Sequence, residues 1–114
     1  MPQYMLLLRD NGEAWTKLSA EELQKTTEKY MDWRQKSFTV DGHRLDQPGR
    51  VVQKKSNGVS VSDGPFSEGR EVLGGYYTVE AANFDEAVKL ALTNPHIDFG
   101  TIEIREVMQR PDAS

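Results

Sequence analysis

The sequence predicts one α+β domain on the ferredoxin-like, split-βαβ plan, with an extra hairpin strand. Three observations predict it: an apolar run opens the chain, helix-cap signals occur in the first and last thirds, and β-prone segments separate the two helices. The resulting element order is β-α-β-β-β-α-β, in which one middle strand is an addition to the plan. We place the domain at residues 1–109 and a frayed tail at residues 110–114.

The first half of the chain predicts a central strand followed by a capped helix. Residues 3–9 form an apolar run that ends at the turn signal Asp10-Asn11-Gly12. Because both alternating faces of this run are apolar, the strand is expected to be covered on both sides. Ser19 and Glu22 have the spacing of a capping box, which predicts a helix to about residue 37. Asp41-Gly42 then signals a break.

The second half predicts a hairpin, a strand, a second helix and a closing strand. Asn57-Gly58 lies between two β-prone runs, residues 51–56 and 59–62, and favours a type I′ turn. Asn83 begins an amphipathic helix, and Pro95 stops it because the residue before a proline resists the helical conformation. The two remaining strands are expected at residues 72–81 and 101–107.

Composition narrows the classes of function. The 114 residues suffice for one core, and the absence of cysteine excludes disulfides, thiolate nucleophiles and cysteine-bound metals. With 14 basic and 18 acidic residues scattered along the chain, the net charge of −4 disfavours nucleic acid as a partner. The short apolar run near the start fits neither a signal peptide nor a membrane span, so we expect a cytoplasmic protein without membrane contact.

The predicted sheet has a face that its own helices cannot cover. Two helices can cover only one face of an antiparallel sheet, and apolar groups from Tyr4 or Met5, from Tyr76 or Tyr77, and from Val107 remain on the other face. A second copy of the chain, packed sheet to sheet, would bury them. We therefore predict a homodimer.

Three charged positions are candidates for chemistry. Asp63, before Gly-Pro, either caps a turn or acts as a general acid or base. Glu103 and Arg105 share one strand face, so they form either a surface ion pair or a buried pair that binds a carboxylate or polarises a carbonyl. Arg9, at the end of the first strand, has the same ligand-binding potential.

Aromatic residues near a glycine pair are candidates for ligand contact. Tyr76 and Tyr77 point to opposite faces of a strand, so at most one faces a shared cavity. The preceding Gly74-Gly75 indicates either a bulge or the close approach of a backbone or ligand. Phe66 either fills the core or lines a pocket.

The two histidines fall in predicted loops. His43 and His96 are both expected to be exposed, although His96 with Asp98 would make a small acid–base pair. Two dispersed histidines without cysteine do not make a zinc site, and no nucleotide or phosphate motif is present. We expect neither a metal nor a cofactor.

A set of motifs spread along the chain resembles one family. Asp63-Gly64-Pro65-Phe66, the LGGYY run at residues 73–77 and the IEIR run at residues 102–105 resemble the DGPF group of the YCII-related proteins. The resemblance covers nearly the whole chain. It departs from the pattern at Glu106, where the family commonly has proline, and in the first helix, which contains no histidine.

The resemblance implies a dimeric α+β barrel. YCII-related proteins have been proposed to be enzymes that use a His-Asp pair in a cleft, and the DGPF group is found beside sigma-factor-like regulators. Because the first predicted helix has no histidine, that pair cannot be carried over to this chain.

Two functional hypotheses follow. The first is a small polar ligand held in a pocket between the sheets, with cofactor-free acid–base chemistry by Asp63, Glu103 or His96 as an option. The second is a non-catalytic regulatory module with a protein partner, linked to transcription regulation.

Overall fold

The computed structural model describes residues 1–65, 67–68 and 71–109, with the backbone alone at residues 67–68. It shows a mixed α+β fold with antiparallel sheets, as the sequence predicts, but the described chain has three α-helices where we predicted two. The elements are β1 (Gln3–Asp10), α1 (Glu13–Thr16), α2 (Ala20–Arg34), β2 (Thr39–Arg44), β3 (Gly49–Lys55), β4 (Gly58–Gly64), β5 (Ser67–Glu68), β6 (Glu71–Glu80), α3 (Phe84–Leu92), a 3₁₀ turn (Pro95–Asp98) and β7 (Thr101–Glu106). Phe66 and the predicted tail at 110–114 lie outside the described residues.

The main sheet has the strand order β2-β6-β1-β7, and the short β5 pairs with β6. Strand β1 is central and pairs antiparallel with both β6 and β7. Its even-numbered residues Tyr4, Leu6 and Leu8 are buried, whereas Met5 and Leu7 on the other face are only partly buried. We call the face that carries Met5 and Leu7 the open face.

The core lies between the sheet and the helices. Leu6 and Val79 are completely buried, and Trp33 of α2 and Ala87 of α3 pack in the same cluster. The predicted capping box is confirmed: the Ser19 hydroxyl accepts from the Glu22 amide, and the Glu22 carboxylate accepts from the Ser19 amide. These contacts fix where α2 begins, and α2 then carries Trp33 onto the sheet.

The predicted hairpin forms, but it contributes no strand to the main sheet. Strands β3 and β4 pair only with each other in the described chain, and Lys55 pairs with Gly58, so the two turn residues are Ser56 and Asn57. The type I′ turn predicted at Asn57-Gly58 was wrong, because only Gly58 of the pair has a positive φ, +125°, and it already belongs to β4. The fourth strand of the main sheet is instead β2, in a segment that we predicted to be a loop. Asp41-Gly42 does not interrupt the strand here. Gly42 lies directly beneath the Tyr77 ring, where a side chain would collide, so the glycine is required within β2.

A bulge interrupts the pairing of β1 with β6. Leu8 pairs with Gly75 and Arg9 with Leu73, so Gly74 is the extra residue. A Cβ on Gly75 would lie 2.9 Å from the His43 carbonyl oxygen, which explains the second glycine. The bulge and the close approach that we considered as alternatives therefore occur at adjacent residues.

Candidate functional site

A cavity of about 700 Å³ opens where the end of β1 meets α1, α2 and the start of the β2–β3 connection. Its walls combine aromatic rings and ionisable groups, among them Asp10, Trp15, Tyr30, Tyr77 and His96. A volume of this size suits a small organic ligand. The cavity lies on the helix side of the sheet, and Tyr76 of the inner strand β6 is also among its lining residues.

The turn after β1 places Asp10 and Trp15 in this cavity. The Asp10 Oδ1 atom accepts a hydrogen bond of 2.9 Å from the Gly12 amide, and Gly12 has φ +83°, which favours glycine. Helix α1 follows at once. It presents Trp15, whose ring stacks on Phe99 with 4.5 Å between centroids and lies 5.7 Å from Tyr30.

His96 is buried, and our prediction of an exposed loop histidine was wrong. The Asn94 side chain accepts from the His96 amide and fixes the start of the 3₁₀ turn, so the ring points inward with 3% exposure. Its Nε2 lies 2.9 Å from the Arg9 carbonyl oxygen, and its Nδ1 lies 2.9 Å from the Tyr30 hydroxyl. Because a carbonyl oxygen only accepts, we assign the proton to Nε2, and Nδ1 then accepts from Tyr30.

The acidic neighbour of His96 is Asp10, not the Asp98 that we predicted. The Asp10 Oδ2 atom lies 3.9 Å from His96 Nε2, and the Asp10 side chain is 18% exposed. No hydrogen bond to Oδ2 occurs within the described chain. Gly74 leaves room beside it, since a Cβ there would lie 3.7 Å from Oδ2. Asp10 therefore presents one carboxylate oxygen to the cavity beside the His96 ring.

Two tyrosines, the partly buried Tyr30 and the buried Tyr77, complete this side of the cavity. Burial raises the pKa of Tyr30 well above its ordinary value, so its hydroxyl keeps its proton and donates to His96. Burial also raises the pKa of Tyr77, whose hydroxyl donates to the Tyr30 carbonyl oxygen at 3.2 Å. Both rings are consequently held in one orientation.

Tyr76 points to the opposite face, as predicted, and joins a polar cluster at the edge of the sheet. Its hydroxyl donates to Asp41 Oδ2 at 3.2 Å, and His43 Nε2 lies 3.3 Å from Asp41 Oδ1. The Gly42 amide, and then the Tyr76 hydroxyl, hold the pKa of Asp41 below its ordinary value. His43 is thus a strand residue at the sheet edge rather than a loop residue.

The predicted charged trio lies on the open face. Glu103 and Arg105 of β7 pair with Leu7 and Met5 of β1, respectively. Both side chains therefore lie on the face opposite to that of Ile102 and Ile104, as expected. Arg9 Nη1 contacts Glu103 Oε1 at 2.5 Å, and Arg105 lies 3.7 Å from the other carboxylate oxygen. The trio is a connected ion network separated from the cavity by the sheet.

Asp63 lies apart from both groups. It belongs to β4, where its carboxylate is 91% exposed and lies 3.6 Å from Arg50 Nη1. Of the residues that we predicted for the site, the structure brings Tyr77 and His96 into the cavity with Tyr76 at its rim. It leaves Arg9, Glu103 and Arg105 on the open face and Asp63 on the hairpin.

Sequence reasoning missed Asp10, Trp15 and Tyr30 as site residues. We interpreted Asp10 only as part of a turn signal. Tyr30 follows the helical spacing of α2, which indicates that it faces the sheet, but its partner His96 is 66 residues away. The available signal was the concentration of polar residues just after a central strand.

Within the described residues, no three His, Cys, Asp or Glu side chains are placed to hold a metal ion. None of the helices described is long and apolar enough to cross a membrane.

Comparison with known proteins assigns the chain to a family. The model of the YCII-related domain matches residues 2–110. An uncharacterised protein of Rhizobium meliloti (strain 1021) is 43% identical over 47 residues, which are 40% of this chain and 38% of that protein's length. The chain thus spans well under half of the curated relative that it matches. On the match to residues 2–110, this chain belongs to the YCII-related domain family.

Proposed function

We propose that this protein binds a small molecule in the cavity beside Asp10 and His96. The observation that carries the proposal is the convergence of the Asp10 Oδ2 atom, the His96 ring and the Trp15 ring on one cavity of about 700 Å³. Cavities that bind small molecules typically combine an apolar wall with a few fixed polar groups. This chain supplies both from separate elements.

The lining favours a ligand with a flat apolar body and one polar group. Trp15 and Tyr30 form an aromatic wall with 5.7 Å between their ring centroids, and Tyr77 adds a third ring held by its own hydrogen bond. Asp10 accepts hydrogen bonds, so it would orient a hydroxyl, amide or amine on the ligand.

Acid–base chemistry without a cofactor is a further part of this proposal. Both His96 nitrogens already bond to protein atoms, so Asp10 is the better placed proton acceptor and His96 supports it from 3.9 Å. Among the catalytic candidates from the sequence, His96 belongs to this cavity. Asp63 and Glu103 lie elsewhere and would act only through a surface shared with another molecule.

We also propose that the chain is a homodimer with the dimeric α+β barrel arrangement. The order β2-β6-β1-β7 fits the ferredoxin-like plan, in which two helices cover one face of the sheet. Met5, Leu7 and Tyr76 remain partly exposed on the open face, and a second copy would cover them together with the Arg9–Glu103 pair. Arg9 and Arg105 could then hold a carboxylate between the sheets.

Membership of the DGPF group and a cytoplasmic location complete the proposal. The first is supported by Asp63-Gly64-Pro65-Phe66 together with the family match over residues 2–110. The second is supported by the chain's lack of cysteine, because small secreted domains commonly depend on disulfides.

The two tryptophans provide a direct test. Trp15 lines the cavity, whereas Trp33 is buried in the core with 5% exposure and does not. A panel of small aromatic acids, amides and amines is titrated while the intrinsic fluorescence is followed. We expect binding compounds to change the emission of Trp33→Phe, which retains Trp15, and to leave that of Trp15→Phe nearly constant.

Asp10→Asn should weaken the same compounds by about tenfold or more, since it removes a charged acceptor at the ligand. Equal responses from the two tryptophan variants would contradict the proposal. A protein that binds none of the panel but copurifies with another protein would favour the regulatory module instead.

A further inference from the structure

The hairpin β3–β4 is a projecting part of the molecule without a core of its own. Its strands form a separate two-stranded sheet, and most of their residues are exposed. Two-stranded hairpins are marginally stable in water unless a third layer packs on them. The described chain supplies no such layer, because the helices pack on the main sheet.

One face of the hairpin carries an exposed aliphatic patch. Val52 and Val61 are direct cross-strand partners, and Val59 is next on the same face, opposite Lys54. The three valines are 66%, 64% and 67% exposed. Cross-strand valines in contact form a continuous apolar surface, which is the side on which a sheet normally packs. We call Val52, Val59 and Val61 the valine patch.

The opposite face of the same hairpin is mostly polar. It carries Gln53, Lys55, Ser60 and Ser62, with Val51 as the apolar exception. The valine face itself also carries Arg50 and Asp63 beside the Val52–Val61 pair and Lys54 opposite Val59. The valine patch is therefore a small apolar cluster with a charged rim, which is the composition of a docking surface.

Charge indicates what covers the patch. Residues 49–64 contain three basic residues and one acidic residue, a net charge of +2, whereas the rest of the chain contains 11 basic and 17 acidic residues, a net charge of −6. Two hairpins would repel each other, but a hairpin and the body of another copy attract. That body also has its own uncovered apolar surface, the open face with Met5 and Leu7.

We infer that the hairpin of each copy packs its valine patch on the body of a second copy. The inference rests on the homodimer of the proposed function and is independent of the ligand cavity. It assigns to the hairpin a role that the fold of one chain does not require. In the dimer, the hairpin of each copy packs on the other copy and adds apolar area to the contact between the two open faces. The hairpin thereby becomes ordered by the dimer.

The test compares two doubly substituted chains by sedimentation equilibrium over a range of protein concentrations. Val52→Lys with Val61→Lys places two charges in the valine patch. Gln53→Lys with Ser62→Lys adds the same charges to the same two strands on the polar face. We expect the first variant to raise the dimer dissociation constant at least tenfold and the second to change it less than threefold. Circular dichroism establishes that each body is folded.

A variant that retains β propensity covers the case in which the lysines unfold the hairpin. Val52→Thr with Val61→Thr keeps shape and strand preference but removes apolar surface, so it should weaken the dimer in the same direction. Because the chain has no cysteine, V61C alone reports hairpin–hairpin contact, and we expect no disulfide between two copies of V61C under mild oxidation.

The outcomes separate this inference from the proposed function. An unchanged dimer dissociation constant in the Val52/Val61 variants would overturn the hairpin contact and leave the homodimer in place. An efficient V61C disulfide would do the same, because it would mean that the two hairpins contact each other. A wild-type chain that is monomeric throughout overturns both.

Discussion

Arg9 links His96, on the helix side of the sheet, to Glu103, on the open face. The Arg9 carbonyl oxygen accepts a hydrogen bond of 2.9 Å from His96 Nε2 on the helix side, while its guanidinium contacts Glu103 on the open face. The end of β1 is thereby fixed from both sides, immediately before Asp10. The position of Asp10 in the cavity depends on that anchoring.

Replacing His96 should destabilise the fold strongly. His96→Ala removes two hydrogen bonds and leaves a buried space with an unpaired Tyr30 hydroxyl, so we expect a loss of about 2–4 kcal/mol in the free energy of unfolding. His43→Ala is the matched control, because the His43 side chain is 60% exposed, and its loss should stay within about 0.5 kcal/mol. Urea denaturation measures both. Equal losses would contradict the anchoring role of His96.

Two glycines next to the site should respond differently to alanine. A Cβ on Gly100 would overlap the Arg9 carbonyl oxygen, whereas a Cβ on Gly74 would meet nothing closer than 3.7 Å. We expect Gly100→Ala to lower the free energy of unfolding by about 2–4 kcal/mol and Gly74→Ala to change it by less than about 1 kcal/mol. Thermal melting followed by circular dichroism distinguishes them. If Gly74→Ala lowered the free energy of unfolding more than Gly100→Ala, the packing described here around the bulge would be contradicted.

Tyr30 and Tyr77 predict a loss of stability in alkali. The pKa values of Tyr30 and Tyr77 are raised in the folded state above the ordinary value of 10.0. Above about pH 10 the unfolded chain therefore binds fewer protons than the folded chain, and the free energy of unfolding falls as the pH rises. Below that pH the contribution is fully present. Tyr30→Phe should make the alkaline fall shallower in urea denaturation between pH 9 and 12, and an unchanged slope would contradict the assignment.

The contact between Arg9 and Glu103 distinguishes an exposed open face from a covered one. In a monomer, Glu103→Gln should cost about 0–1 kcal/mol, because the pair is partly solvated. In the proposed dimer it should cost about 2 kcal/mol or more, since Arg9 is left buried without a partner. Denaturation at low and high protein concentration separates the two cases. Glu21→Gln is the control, because Glu21 belongs to an exposed ion pair with Lys25 on a helix. A small cost at both concentrations would contradict the covered open face.

The sequence predicted those parts of the fold that short-range chemistry determines. The Ser19 capping box, the hairpin around Asn57-Gly58 and the opposed directions of Tyr76 and Tyr77 depend on residues within a few positions of each other, and these were confirmed. The type I′ geometry predicted for the hairpin turn was not, because Asn57 has no positive φ. Strand β2 was missed because Gly42 fits a strand only when Tyr77 lies over it. That contact joins residues far apart in the chain.

The candidate site was harder to predict for the same reason. The burial of His96 depends on hydrogen bonds between its ring and two distant groups, the Tyr30 hydroxyl and the Arg9 carbonyl oxygen, which are 66 and 87 residues away in the sequence. Local spacing suggested Asp98 as its partner, whereas the sheet brings Asp10 to it. The side of the sheet occupied by Glu103 and Arg105 was predictable, because the alternation along β7 determines it.

The most direct test of the central claim is native mass spectrometry of gently purified protein, comparing the wild type with Asp10→Asn and Asp63→Asn. If the cavity beside Asp10 is the binding site, the wild type and Asp63→Asn should carry the same additional small mass, and Asp10→Asn should carry much less of it. The same bound mass on Asp10→Asn as on the wild type, or its loss only from Asp63→Asn, would contradict this account.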